Sequence, residues 1–478
     1  MNRFFRLFLL LLACSGSLLA QNDFQDFLNQ NDPNRATQAS LEEFQDFSAA
    51  VTAQYDAWEQ QQEEAFLAYK QQVEQQWGDF LGSTNSMWVQ YSETLGARTA
   101  VDYERGEVVV ETIVDGDDSQ SSQTAIERNQ EALQKLIADE ARAKGALADQ
   151  LTIPGSQVSV TSNQSKNFAK ATVSSGQQIA QKQPAKVEAA RDYHQHIKAT
   201  FNKDYAASKV HQTRLKQAQA LENPKAAASS PPGQVELNNR IKQERDAAKR
   251  EQQTATQLAQ VQPKLDQDRQ PVTFSEKIKG KDGKTRTKVT TVIPLVPDHI
   301  QRRANQFRDE VDAQAKRFGV DPALAFAVIH TESYFNPKAK SYVPAYGLMQ
   351  LVPRSGARDA YLYVYKKDKL LDEDYLYNAG NNVELGCGYL KKIRDVYFKN
   401  VKDDETAAFL TIAAYNTGVG NVAKAMTGTT KLTPTAEAAN GMSSINTYNR
   451  LMKKLPYDET KSYLDKVSER RKLYASWR

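Results

Sequence analysis

The apolar positions of this chain change their period along its length, and each change marks a unit. From Phe44 onward, aromatic and aliphatic residues fall at Phe47, Val51, Tyr55, Trp58, Phe66, Tyr69, Val73 and Trp77, spaced by threes and fours with one gap. That spacing keeps one stripe of a 3.6-residue helix apolar and predicts one long amphipathic helix. Its other faces are rich in Gln and Glu, as suits a solvated helix docked on its own domain. Pairing with a further helix, in this chain or a second one, is the alternative. After Trp88 the period becomes two: Val101 and Tyr103, a turn at Arg105-Gly106, then Val108, Val110, Thr112 and Val114. This predicts a β-hairpin. A second alternating pair, Val272 to Lys279 and Thr285 to Ile293, surrounds Asp282-Gly283, a dipeptide suited to the positive φ angles of a tight hairpin turn. The two hairpins can share one small sheet.

Between them, from about Asp115 to Gln270, the chain is rich in Gln, Ala, Lys and Ser, poor in aromatics, and broken by Pro224 and Ser230-Pro231-Pro232-Gly233. Ile126, Leu133, Leu136, Ile137, Leu147 and Leu151 mark one amphipathic helix in this insertion, and Gln234 to Gln262 a polar one. The remainder carries too little apolar surface to offset chain entropy and is expected to be mobile. From Pro294 the pattern changes again: Asp298 can cap a helix carrying Ile300, Ala304, Phe307 and Val311, and an apolar, helix-rich region runs on to Arg478. The expected fold is mainly α. An export signal over 1–20 and an amphipathic helical segment over 21–78 precede a small antiparallel sheet and helix domain over 79–297, interrupted at about 115–270, and a helical domain over 298–478.

The chemistry lies in that last domain. Asp321-Pro322 pairs a helix N-cap with a proline at the first helical position, where a missing N–H costs nothing. The helix body, Ala323 to Ile329, is apolar on nearly every face, as expected of a helix buried through a core. Thr331-Glu332-Ser333 stands at its end, just before Asn336-Pro337 stops it. A carboxylate there is penalised by desolvation and by the negative end of the helix dipole, and both raise its pKa. A carboxyl still protonated near neutral pH is what a glycosidic oxygen needs as general acid, as in lysozyme. By position alone, Glu332 reads more readily as a paired carboxylate where the helix reaches the surface.

The flanking residues decide between these. The run Thr331-Glu332-Ser333-Tyr334-Phe335-Asn336-Pro337, then Ser341, then Ala345-Tyr346-Gly347-Leu348-Met349-Gln350-Leu351, resembles the signature of the soluble-lytic-transglycosylase family. Ala414-Tyr415-Asn416-Thr417-Gly418-Val419-Gly420 and Glu459-Thr460-Lys461-Ser462-Tyr463-Leu464-Asp465-Lys466-Val467 continue it in the family's order. The resemblance implies a lysozyme-like α+β catalytic domain with Glu332 as acid and base. It also implies that Ser341, Gln350, Tyr415 and Tyr463 line a sugar cleft, to which Ser333, Gly347, Leu348, Met349 and Asn416 contribute. Ser341 and Tyr463 are hydroxyl donors able to orient an N-acetyl group or the acid, and Gln350 offers an amide. Met349 and Tyr415 offer apolar and aromatic faces, with plain core packing as the other reading. Gly347, Gly418 and Gly420 suit tight turns, and no phosphate-loop or dinucleotide spacing is present. Thr290 to His299 resembles the interdomain junction of the membrane-bound type C murein transglycosylases, whereas the 115–270 insertion departs from that pattern.

The activity implied is cleavage of the β-1,4 bond between N-acetylmuramic acid and N-acetylglucosamine, leaving 1,6-anhydromuramoyl ends. Ordinary glycosidases employ two carboxyl groups, and the motifs here supply one. Two rivals remain: a hydrolase in which Asp372 or Asp374 positions a water, and a non-catalytic glycan-binding scaffold. With 62 Lys plus Arg against 58 Asp plus Glu, a formal charge of +4 over 478 residues gives no sign of a nucleic-acid partner, though mild basicity suits an anionic wall polymer. His194 and His196 lie in a polar stretch without further ligands nearby, so no metal or other cofactor is expected. Arg3 and Arg6 precede an apolar run from Leu7 to Ala13, too short to span a bilayer. Leu11-Leu12-Ala13-Cys14 resembles a bacterial lipobox, which would lipidate Cys14 and anchor the protein to the outer membrane, facing the periplasm. Cleavage after Ala20 is the alternative. The expected partners are peptidoglycan glycan strands, the membrane through that anchor, and envelope proteins through the helical regions. Cys387 has no partner in the mature chain, so packing must hold the fold without an internal disulfide.

Overall fold

The computed structural model describes residues 61, 64–84, 86–142, 165–188, 190–191, 270–296, 298–341 and 345–476. It is mainly helical with one small antiparallel sheet. Strands β1 (Met87–Tyr91), β2 (Ala97–Asp102), β3 (Glu107–Asp115), β4 (Val272–Lys279) and β5 (Thr285–Pro294) lie in the order β1-β2-β3-β5-β4. The two hairpins expected from alternation therefore do share one sheet, joined where β3 pairs with β5, Val110 opposite Thr291. Strand β1 escaped the sequence reading.

Both faces of the sheet are covered, and β3 shows how. Val108 and Val110 point toward helices α1 (Ser119–Arg142) and α2 (Ser165–Lys182), into a cluster with Leu133, Leu136, Ile137 and Phe168. Ile113 points the other way, onto Val73, Trp77 and Phe80. Residues 64–77 are helical, and Val73 and Trp77 dock that helix on the sheet of its own chain. The predicted positions before residue 61 lie outside the described residues, as do Cys14, His194 and His196, Leu147 and Leu151, and the 234–262 segment.

Helix α1 is the one read from Ile126, Leu133, Leu136 and Ile137. Its Asn129 is buried on the sheet, donating to the carbonyls of Val110 and Val289 and accepting from Thr291 Oγ1 at 2.7 Å. Helix α2 was not foreseen, since the insertion outside the marked helices was expected to be mobile. It packs Phe168, Ala169, Thr172 and Val173 inward. Opposite them, the face toward residues 64–77 holds a buried charge cluster. Arg98 pairs with Glu111 and with Asp79, Lys288 pairs with Glu111 and Glu276, and the Arg98 guanidinium sits 4.3 Å over the Trp77 ring.

The C-terminal region is built from α3 (His299–Gln306), α4 (Arg308–Phe318), α5 (Pro322–Ser333), α6 (Arg358–Tyr365), α7 (Glu373–Tyr377), α8 (Ala379–Lys392), α9 (Asp404–Thr417), α10 (Val419–Thr427), α11 (Leu432–Asn440), α12 (Ser444–Lys454) and α13 (Asp458–Ala475). The single helix expected over Ile300 to Val311 is broken at Phe307 into α3 and α4. Asp298 does not cap it by a side-chain bond, because its carboxylate is held by Arg302. Asp321 does cap α5, accepting from the Ala323 N–H with Pro322 following. Every residue of α5 from Ala323 to Ser333 is buried, and α13 lies along it. Cys387 is a free, fully buried thiol in α8, and burial pushes its pKa up to about 12. Among the described residues no helix is long and apolar enough to cross a membrane.

Candidate active site

Glu332 sits in the last turn of α5 with only 9% of its surface exposed. Burial, the largest influence, lifts its pKa to about 8; the nearby Tyr463 side chain tempers the rise and the negative charge of Glu459 adds to it. Desolvation is strong here because the walls are the apolar body of α5 and the C-terminal core. Tyr463 comes from α13, and its hydroxyl is buried without a well-formed hydrogen bond of its own. Tyr415 comes from the end of α9, feels the charge of Glu332, and donates from Oη to the Met349 carbonyl at 2.8 Å. Burial, reinforced by the Glu332 charge, keeps both phenols protonated far into the alkaline range. A carboxyl and two neutral phenols thus converge on one spot, brought from three helices.

The turn from Ala345 to Leu351 forms the facing wall. Gly347 has a φ of 76°, and a Cβ there would collide with the Asn382 side chain and the Leu376 carbonyl, so only glycine fits. Gln350 also has positive φ, at 46°, and its amide donates to the carbonyls of Ala339 and Gly347 at 3.1 and 2.9 Å. Those bonds close the turn, and the amide oxygen is its remaining acceptor. Leu348 and Met349 are fully buried, and Met349 rests on Gly386, whose missing side chain leaves room for its sulfur. For Met349 the core-packing reading holds for the side chain, and what it offers Tyr415 is its carbonyl. Ser333 is likewise fully buried, its hydroxyl donating to the carbonyls of Ile329 and, at 2.7 Å, Leu348. It ties the end of α5 to the turn instead of facing a ligand.

Ser341 is tied to the start of this turn, exchanging backbone and side-chain bonds with Ala345. Asn416 accepts from Thr460 Oγ1 at 2.7 Å, linking α9 to α13 beside Glu459. Gly418 has the positive φ expected of a turn glycine, but Gly420 lies inside α10 with an ordinary helical backbone. Asp372 is occupied as the N-cap of α7, accepting from the Tyr375 N–H, and Asp374 is exposed on that helix. Glu459 is the carboxylate whose charge reaches Glu332.

One residue central to this wall was missed. Asn382, fully buried in α8, accepts from the Met349 N–H at 2.7 Å and donates to the carbonyls of Tyr346 and Leu376 at 2.8 Å. Asn382, which follows Asn381 in the helix, has no motif to announce it; the signal was its place beside the buried apolar residues Val383, Leu385 and Leu390.

Residues 309–436 match the model of the transglycosylase SLT domain, and residues 55–130 match that of the N-terminal domain of membrane-bound lytic murein transglycosylase C. The chain resembles the SLT-type lytic transglycosylases on both counts. Curated proteins called membrane-bound lytic murein transglycosylase C match it at 36% identity in Haemophilus ducreyi, over 41% of this chain and 52% of that protein, and at 32% in Klebsiella pneumoniae, over 41% and 54%. The chain spans about half the length of the curated relatives it matches. Solved structures similar to it include the lytic transglycosylase Slt of Pseudomonas aeruginosa, at 26% identity and a TM-score of 0.28 over 35% of this chain and 24% of that one. Another is the 70-kDa soluble lytic transglycosylase of Escherichia coli, at 21% and 0.29 over 38% and 26%. The N-terminal match extends to residue 130, so the first part of the segment expected to depart from the type C pattern follows it, including half of α1.

Proposed function

We propose that this protein is a peptidoglycan lytic transglycosylase in which Glu332 performs both proton transfers. The carrying observation is a carboxyl with its pKa raised to about 8 at the end of a buried helix, beside Tyr463 and Tyr415 and within reach of the Glu459 charge. At neutral pH it holds its proton and can give it to the oxygen leaving C1 of N-acetylmuramic acid as the β-1,4 bond breaks. The acetamido group of the same sugar shares the positive charge at C1. The carboxylate then takes the proton of the muramoyl 6-hydroxyl, whose oxygen closes on C1, giving the 1,6-anhydro end without water. Net proton count at Glu332 is unchanged. Ser341, Gln350, Tyr415, Asn416 and Tyr463 border the glycan in this reading, while Gly347, Leu348, Met349 and Ser333 shape the wall from behind.

Mass spectrometry of muropeptides released from purified peptidoglycan tests it. Anhydro ends support the reading; reducing muramic acid would replace it with hydrolysis, no release by the wild type would leave a glycan-binding scaffold, and undiminished release by Glu332→Gln would remove Glu332 from the role of acid. Asp372 and Asp374 are poorly placed for a hydrolase, one being committed to a helix cap and the other exposed. We further propose a lipidated Cys14, outer-membrane anchoring and a periplasmic site of action, supported by the lipobox resemblance and by relatives named membrane-bound. Metabolic labelling with a fatty-acid analogue tests that, with Cys14→Ser as the control that must lose the label.

A further inference from the structure

Directly after Glu332 and Ser333 the backbone turns left-handed at two consecutive non-glycine residues, Tyr334 with φ 49° and Phe335 with φ 60°. Each such residue costs energy and persists only where its surroundings hold it. The two side chains separate: Phe335 enters the core of the helical region, and Tyr334 enters the sheet cluster with Val108, Leu133 and Ile293. What holds the turn is Arg303 of α3. Its Nε donates to the Tyr334 carbonyl at 2.9 Å and its Nη2 to the Phe335 carbonyl at 3.0 Å. Arg303 is 5% exposed, and its guanidinium lies 3.9 Å over the ring of Tyr103, in the turn between β2 and β3. That turn is itself fixed, because the Tyr103 carbonyl contacts His299 Nε2 at 2.8 Å and Gly106 accepts from the Leu295 N–H. From the other side, Arg470 of α13 donates to the His330 carbonyl, Thr331 Oγ1 and the Tyr334 hydroxyl.

We propose that Arg303 is a positioning residue for Glu332, and that the β2–β3 turn, through Tyr103, is what keeps Arg303 in place. The sheet domain would then be part of the catalytic apparatus, setting where the acid points. The inference rests on Glu332 being the acid. The groups facing Glu332 are Tyr463 and Glu459 of α13 and Tyr415 of α9, with His330 two residues before it on another face of α5. Arg303 touches none of them and acts through backbone alone.

The full-length chain carrying Arg303→Gln, Arg303→Lys or Tyr103→Leu is assayed for anhydro-muropeptide release across pH. The Glu332 carboxyl is followed in parallel by carbon-13 NMR, assigned by its loss in Glu332→Gln. Arg303→Gln is expected to lower kcat on the order of tenfold to a hundredfold with little change in KM. It should also draw the carboxyl midpoint and the alkaline limb of kcat below about 8 as water reaches a displaced acid. Arg303→Lys, which keeps one donor, should recover part of both, and Tyr103→Leu should show the same shifts more weakly. Wild-type kcat and midpoint in Arg303→Gln overturn the proposal; should that variant not fold, the same values in Arg303→Lys and Tyr103→Leu overturn it. Absence of anhydro ends from the wild type would instead sink the functional reading, and the carboxyl midpoint would still decide the role of Arg303.

Discussion

Two side chains two residues apart on α5 are held neutral by the same cause, acting with opposite sign. Burial lifts the Glu332 carboxyl to about 8 and, with help from the Arg470 and His299 charges, lowers His330 to about 3. The helix end is therefore uncharged at these positions across the range between those values. For Glu332 the folded pKa exceeds the unfolded one, so the native state retains a proton that the unfolded chain releases, and stability falls as pH rises from about 4.5 to about 8. Glu332→Gln removes this penalty. It should abolish anhydro-product release while gaining stability over wild type by on the order of a few kcal/mol at high pH and nothing in acid. Thermal denaturation of both proteins across that window reads it, and a difference that does not change with pH would contradict the assigned burial. His330 runs the other way: its contribution is lost as pH falls from about 6.5 toward 3, with the Tyr474 hydroxyl 2.9 Å from Nδ1 as its partner.

Among elements, the wall turn depends on Asn382 as much as on its own sequence. Asn382→Leu would strand the Met349 N–H and two carbonyls in the core, each orphan costing about 1–3 kcal/mol. We expect a lower urea midpoint and a loss of kcat together; an active, unchanged variant would show that the turn stands by itself. The contrast with α5 explains what could be read in advance. Helix α5 announces itself locally, by Asp321-Pro322 at its start and unbroken apolar residues behind Glu332. Tyr463 and Tyr415 were legible only through motif resemblance, because what brings them to Glu332 is the packing of α13 and α9. Asn382 and Arg303 act across 33 and 31 residues on a backbone N–H and a backbone carbonyl, and a backbone partner leaves no trace in the sequence. Helix α2 was overlooked because its inward face includes Ala169 and Thr172, which hydropathy does not mark. Strand β1 is five residues at the sheet edge, too short for its alternation to stand out.

For the whole molecule, the sheet domain is stabilised on one face by charge. Glu111 is 1% exposed and compensates both Arg98 and Lys288. Glu111→Gln leaves two buried cations short of a counter-charge, with an expected cost of about 3–5 kcal/mol. Urea unfolding measures it, and a loss under about 1 kcal/mol would mean that the cluster behaves as a solvated one. A fragment starting at residue 298 should also melt below the full chain, since it uncovers Tyr334 and Arg303. Equal melting temperatures would show that the helical region is self-sufficient. The buried thiol of Cys387 offers a way to follow all of these states. Sealed in α8 and far from ionising at neutral pH, it is inaccessible to iodoacetamide until the helices around it part. Alkylation of its tryptic peptide therefore counts openings of the C-terminal core one molecule at a time, a clock present in the natural chain.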